Sequence, residues 1–381
     1  MLSSIAGRMP IGLAGLGILL FVQGRADSFA LAGTASALYV LGLGLVAPVL
    51  GRLIDRRGPK PVLSTCAVLY PAALVALAAL VLTSAHALWV CVSALLAGAT
   101  LPPISACIRA LYPRLIADPA LLQTVYSVDS ALVEAVFILG PALVAVCVAA
   151  GYPEAAVLLA ALCAAFGTTL FLRARAVAHW KAAPPRAGRD VLGALRSPRL
   201  LPLYAVTVLY AIAFGLFEVA VTAHAAAQGA PAGAGVALAR ASLGSGAGAF
   251  VYCARHWRAP LRSQLLRALA VMAGGMALLV PIDGLVLYSA ACVLTGVPMA
   301  TVIATQSLLI SRLSPRERLA ESFTWSTTCL LVGISAGIAA GGMLAEVVAA
   351  HWLLVAASAS TMLAAVVAVA VLKDDAGYRK E

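Results

Sequence analysis

The chain contains no asparagine, so it offers no acceptor for N-linked glycosylation. Charge is scarce as well: 11% of the 381 residues are Asp, Glu, Lys or Arg, while 63% are hydrophobic. A soluble domain is usually about 45 to 50% apolar, so a soluble globule is excluded. The eight cysteines are scattered singly through apolar segments, which excludes a disulfide framework or a zinc-ligand set and leaves them as small apolar residues. No phosphate-binding glycine loop, nucleophile constellation or metal-ligand cluster occurs, so neither an enzyme nor a cofactor is expected. His86, His224 and His351 fall on separate turns or helix ends and read as interfacial residues, with no metal site implied.

What the chain does have is long apolar runs. Crossing the hydrocarbon core takes roughly 20 apolar residues, and twelve runs of that kind occur, near 9–25, 29–50, 61–83, 87–108, 122–149, 153–172, 200–226, 231–253, 263–281, 285–310, 316–346 and 351–372. They are too long and continuous for barrel strands, and lipid leaves no backbone group unpaired, so each must be a helix. The fold class is all-α, a polytopic membrane protein. Residues 1–25 form the first span, not a cleavable leader.

A formal charge of +11 acquires meaning from its location. Alternating the twelve spans collects the cations on one side, at Arg8, 52–60, Arg109, Arg114, 173–199, 255–267, 312–318 and the tail; Arg25 and Arg240 are the exceptions. By the positive-inside rule that side is the cytoplasm, so both termini are cytoplasmic and the basic charge implies no nucleic-acid partner. The expected location is a bacterial inner membrane, with the protein acting as a monomer in the bilayer.

The longest hydrophilic stretch, 173–199, holds seven cations with Pro184-Pro185 and Pro198, and separates residues 1–172 from 200–381, six spans each. An internal register supports two equivalent halves: Ala32-Gly33, Ala37-Leu38 and Leu43-Gly44 recur as Ala232-Gly233, Ala237-Leu238 and Leu243-Gly244.

The second span is expected to stop at Gly51, followed by the connection Gly51-Arg52-Leu53-Ile54-Asp55-Arg56-Arg57-Gly58-Pro59-Lys60. One acid among four cations, bracketed by glycines, resembles the signature loop of major facilitator superfamily transporters. Gly51, Asp55, Arg56, Gly58 and Lys60 match the family pattern, and Pro59 replaces its first final cation. The resemblance implies two six-helix bundles rocking about a central site, with Asp55 against the start of the eleventh span as part of a cytoplasmic latch. A negative group at a helix start is worth a few tenths to about 1 kcal/mol. Ser314-Pro315-Arg316-Glu317 reads as the capping box that opens that helix. Arg52 and Arg57 read as topology alone; Gly51, Asp55, Arg56 and Gly58 read as the latch. The second-half counterpart, Cys253-Ala254-Arg255-His256-Trp257-Arg258, lacks the acid and the glycines, so the latch is one-sided.

An ionisable group at the bilayer centre costs about 2.5 to 3.5 kcal/mol on insertion scales and is a functional candidate by default. Asp129, Glu134, Glu218 and Arg240 qualify. Glu218 and Arg240 lie at similar depth on consecutive spans, which predicts an ion pair or shared water network, either static or functional. Glu134 precedes Pro141 by seven residues, on the same helix face. The segment 129–141, with Gly140-Pro141, resembles the fifth helix of bacterial proton-antiport efflux members, in which that pair marks exporters. Desolvation disfavours a charged carboxyl, which lets such a group exchange a proton near neutral pH; Glu134 is therefore the first choice for proton coupling. Asp129 is expected to snorkel to the interface or to meet Arg109 or Arg114. The arginine and glutamine usual on the fourth helix of efflux members are Ala94 and Ala97 here, before Gly98.

Tyr39, Tyr210, Phe217, Gln306 and Trp325 are candidate cavity residues, each equally explicable by packing. An apolar cavity suits an amphipathic or uncharged solute, and Glu218 would instead favour a cation. Two functions follow: a proton-coupled exporter of small drug-like or metabolite molecules, or an importer, symporter or facilitator for a sugar, organic acid or other nutrient.

Overall fold

A computed structural model describes residues 2–26, 29–178, 180, 194–195, 197–230, 233–255, 257, 259–345 and 347–371. Most of the basic linker, Ala232 of the internal register, His256 and Arg258 of the second-half loop, and the C-terminal tail lie outside the described residues. Among the described residues the secondary structure is helical, with no strand. The helices are α1 (Leu2–Ala26), α2 (Phe29–Arg57), α3 (Pro59–Leu82), α4 (Ala87–Thr100), α5 (Ile104–Leu115), α6 (Pro119–Ala149) and α7 (Pro153–Leu172). They continue with the short α8 (Arg175–Ala178), α9 (Leu201–Ala227), α10 (Gly233–Ala254), α11 (Leu261–Leu278), α12 (Leu285–Leu313), α13 (Leu319–Ala345) and α14 (Ala350–Val371). Among the described residues, eleven segments are long and apolar enough to cross a bilayer, α4 and α5 counting as one. The twelfth expected span is α11, a helix whose first two turns carry Arg262, Gln264 and Arg267.

Three boundaries differ from the sequence reading for identifiable reasons. The second span does not stop at Gly51: α2 runs on to Arg57, and the turn is Gly58 alone, at φ 82. A left-handed backbone that a side chain would resist, with Pro59 opening α3 as a first-turn proline, makes that one-residue turn. The fourth span is broken at Leu101-Pro102-Pro103, because two consecutive prolines remove two helix donors. The eleventh span begins at Leu319, preceded by a 3₁₀ turn over Arg316–Arg318 that follows an extended Pro315, so its start lies beyond the expected capping box.

Clustering of contacts divides the chain into two units. The first comprises Met1–Leu115, Ala135–Val191 and Pro315–Thr328; the second comprises Ile116–Glu134, Leu192–Ser314 and Cys329–Glu381. The boundary therefore falls within α6 and within α13. In lipid, helices associate through small residues that let backbones approach, and both units do this. In the first, Gly42 and Gly98 let α2 meet α4: a Cβ on Gly98 would press into the Tyr39 carbonyl, and one on Gly42 into that of Leu95. Ala94 and Ala97, where efflux members carry polar groups, are fully buried on α4. In the second unit Gly244 and Gly248 of α10 pack on the α12 carbonyls of Val293 and Val297. Large side chains such as Leu45, Phe250 and Val286 stay exposed, as suits a lipid-facing surface.

Candidate functional site

The first unit contains a charged seam between α2 and the start of α13. Gly44 and Gly51 lie two turns apart on one face of α2; the Thr328 hydroxyl donates to the Gly44 carbonyl at 2.9 Å. A Cβ on Gly51 would come within 2.9 Å of the Ala320 carbonyl oxygen and closer still to the Thr324 hydroxyl. This close approach delivers Asp55, 3% exposed, to the first turn of α13, where its carboxylate accepts from the backbone N–H groups of Ala320 at 3.3 Å and Glu321 at 2.8 Å. Those donors have no partner within their own helix, so Asp55 caps a helix 265 residues away in sequence. Arg114 adds its charge 3.9 Å from Asp55, donates to the Arg316 carbonyl at 2.8 Å and lies 4.2 Å over the Trp180 ring.

From α2 itself, Arg52 joins this seam, its guanidinium meeting the buried Glu321 carboxylate at 2.7 Å. Arg56 and Lys60 lie exposed, as does Arg57. The roles expected of Arg52 and Arg56 are therefore exchanged in geometry: Arg52, three residues ahead of Asp55, meets α13, while Arg56 is exposed. Arg52→Gln is expected to lower thermal stability measurably, because removing one partner of a buried pair strands the other charge. Arg56→Gln should stay within about 0.5 kcal/mol, as surface changes do. Gly51→Ala should cost about 1 to 3 kcal/mol by overpacking, read as a lower melting temperature.

The second unit contains a neutral seam between the first half of α6 and α10. The Gln123 amide donates to Gln264 at 3.4 Å, the Ser127 hydroxyl donates to the Ala249 carbonyl at 2.7 Å, and the Cys253 thiol lies 3.9 Å from the Thr124 carbonyl. At its inner end stands Glu134, 8% exposed, hydrogen-bonded to the Ser245 hydroxyl, which itself accepts from the Ala300 N–H at 3.1 Å. Among the described residues no cation is paired with Glu134. Asp129 is buried at 1% exposure; of its two expected partners, Arg114 contacts Asp55, the Arg316 carbonyl and Trp180.

The expected Glu218–Arg240 pair is not formed. Glu218 is exposed on α9, and Arg240 donates instead to the Ser289 hydroxyl on α12. The depths match, but α10 packs intimately on α12 through its glycines, which hands Arg240 to that neighbour and not to the helix preceding it in the chain.

Among the cavity candidates, Tyr210 donates to Gln306, whose amide donates to Thr207 at 2.6 Å, all three buried in the second unit. Phe217 is 1% exposed. In the first unit the Tyr39 and Tyr70 hydroxyls meet at 3.1 Å in the core. Trp325 is half-buried, and its indole N–H has no partner among the described residues. Gly140 lets α6 touch α1 at Gly12, since a Cβ there would overlap the Gly12 backbone, and α6 continues through Pro141. The histidines serve local packing: His86 caps α4 by accepting from the Leu88 N–H at 3.2 Å, and His224 stacks on Tyr288 at 4.1 Å. Sequence reasoning passed over Arg8, read as a topological cation but 1% exposed, and over Ser245, an inconspicuous serine in a helix rich in small residues.

The chain belongs to the Major Facilitator Superfamily, whose sequence model matches residues 2–337. No curated protein matches it. Its fold is similar to that of a bacterial homologue of the iron transporter ferroportin, solved in an outward-facing state, with TM-score 0.77 at 16% identity over 97% of this chain and 96% of that one. The human organic anion transporter MFSD10 aligns with TM-score 0.76 at 17% identity over 96% and 97%. The Escherichia coli fucose:proton symporter FucP aligns with TM-score 0.72 at 10% identity, over 98% of both chains. The protein is thus a multispanning membrane transporter of this superfamily.

Proposed function

We propose that the protein is a proton-coupled exporter of small amphipathic molecules in the bacterial cytoplasmic membrane, with both termini cytoplasmic. Residues 1–172 and 200–381 act as two rocking halves and expose one site alternately to each side. The observation that carries the coupling is Glu134, a carboxyl buried in a spanning helix, satisfied by one hydroxyl and paired with no cation among the described residues. A permanently charged carboxylate in such a place would demand a cation or several donors; a group that takes and releases a proton needs neither.

Glu218 supplies the substrate preference. It lies nine residues before the end of α9, about 14 Å along the helix. An exposed carboxylate at that depth faces water, since facing lipid would cost about 2.5 to 3.5 kcal/mol. A water-filled cavity with one carboxylate suits an amphipathic cation. Asp55, Arg52, Glu321 and Arg114 form the charged latch on the cytoplasmic side, and the α6–α10 seam is its neutral counterpart.

Because packing against Gly12 accounts for Gly140, the resemblance of that segment to exporters is the ground for direction, and import by proton symport would use the same carboxyls. Flux of ethidium, an amphipathic cation, in oriented proteoliposomes separates the two. Discharge from the cytoplasmic face against an inward proton gradient supports export; proton-driven accumulation on that face supports import; equilibration indifferent to the gradient rejects coupling.

A further inference from the structure

Where α10 gives way to α11, on the basic side of the second unit, two cavities adjoin. The first, about 230 Å³, is polar, lined by Gln123, Thr124, Arg255, Trp257, Gln264 and Arg312 among others. The second, about 240 Å³, shares Tyr252, Trp257 and Gln264 with it and is otherwise largely apolar, with Val251, Val271 and Val297 on its wall. Val251 and Val271 are 57% and 56% exposed, so this second chamber opens onto the surface that the spanning helices present to lipid. Among the described residues, no acidic side chain lines either chamber.

The polar groups of the floor are already satisfied. The Gln264 carbonyl accepts from the Tyr252 hydroxyl at 2.5 Å, and its amide donates to the Ala259 carbonyl at 2.7 Å, so the floor is rigid. Above it, the Arg255 guanidinium lies 5.3 Å over the Trp257 ring, and among the described residues it meets no carboxylate. In the first half, the corresponding turn brings an acid of its own, Asp55. Here the turn has cations and no acid.

We propose that the two chambers form one site for an anionic phospholipid, its phosphate held between Arg255 and Arg312 and an acyl chain in the apolar chamber. Basic pockets between spanning helices on the cytoplasmic side are suited to acidic head groups, and arginine is the side chain best matched to phosphate geometry. A free phosphate would use the first chamber only; the second, open to the lipid surface, gives the chain-bearing ligand its advantage. The lipid phosphate then provides at the α10–α11 turn the negative group that the protein itself carries only after α2.

The test is binding to the purified full-length protein in detergent, followed by native mass spectrometry and lipid titration, with phosphatidylglycerol, phosphatidylcholine and inorganic phosphate as probes. Phosphatidylglycerol should be retained in preference to phosphatidylcholine. One surface arginine contributes roughly fivefold to such binding, so Arg255→Gln with Arg312→Gln should weaken phosphatidylglycerol by on the order of 25-fold, and lysine at both positions should restore most of it. Val271→Trp, which fills the apolar chamber, should weaken the lipid while leaving inorganic phosphate unaffected. Equal binding of phosphatidylcholine, or unchanged phosphatidylglycerol binding in the double glutamine variant, would overturn the site. Inorganic phosphate bound as tightly as phosphatidylglycerol would overturn the lipid assignment.

Discussion

Replacing Glu134 with Gln is expected to abolish proton-driven accumulation while leaving substrate-for-substrate exchange intact. One pH unit is worth 1.36 kcal/mol per coupled proton, so each coupled proton should support about tenfold accumulation per pH unit in the native protein and none in the variant. The substitution is nearly isosteric, and an amide can still bond the Ser245 hydroxyl, so the melting temperature should hold. That combination separates loss of coupling from loss of fold. A variant that still accumulates substrate under a pH gradient would show that the proton travels elsewhere, with Asp129, also buried, the next carboxyl to test.

Asp55→Asn should open the proposed cytoplasmic latch. The carboxylate accepts two backbone N–H groups at the start of α13 and stands near Arg114. Hydrogen bonds to a charged group contribute about 1.5 to 3 kcal/mol, and because 1.4 kcal/mol is tenfold, the population with the latch open should rise about tenfold or more. The chain carries its own reporter: Cys107 on α5 is fully buried beside Asp55. Its labelling by a membrane-impermeant maleimide from the cytoplasmic side should accelerate by the same factor in Asp55→Asn. An unchanged labelling rate would mean that the contact is ornamental to gating.

The fold was legible because membrane insertion leaves a coarse and redundant trace. Apolar runs of fixed length locate helices, and that does not depend on detailed packing. The link from Asp55 to α13 was legible for a different reason, since the acid stands in a short connection whose family pattern it completes. What could not be read was which neighbour each helix meets, and at what level. Arg52 and Arg56 are one turn apart on α2 and share a face; the level at which Glu321 meets the helix selects Arg52. The same holds for Arg240, which chose Ser289 over Glu218 because Gly244 and Gly248 set the neighbour of α10. In a chain so rich in small apolar residues, no hydrophobic stripe distinguishes a lipid face from a packing face. One signal was available and unused: Pro102-Pro103, which breaks the fourth span.

Proton movement during transport tests the central claim most directly. Proteoliposomes enclosing a pH-sensitive dye, with the cytoplasmic face of the protein inward, would be loaded with ethidium and diluted into ethidium-free medium at matched pH. If substrate leaves in exchange for protons, the interior acidifies as ethidium departs, and Glu134→Gln abolishes the acidification. Ethidium leaving at the same rate in both proteins, with no change of internal pH in either, would contradict it.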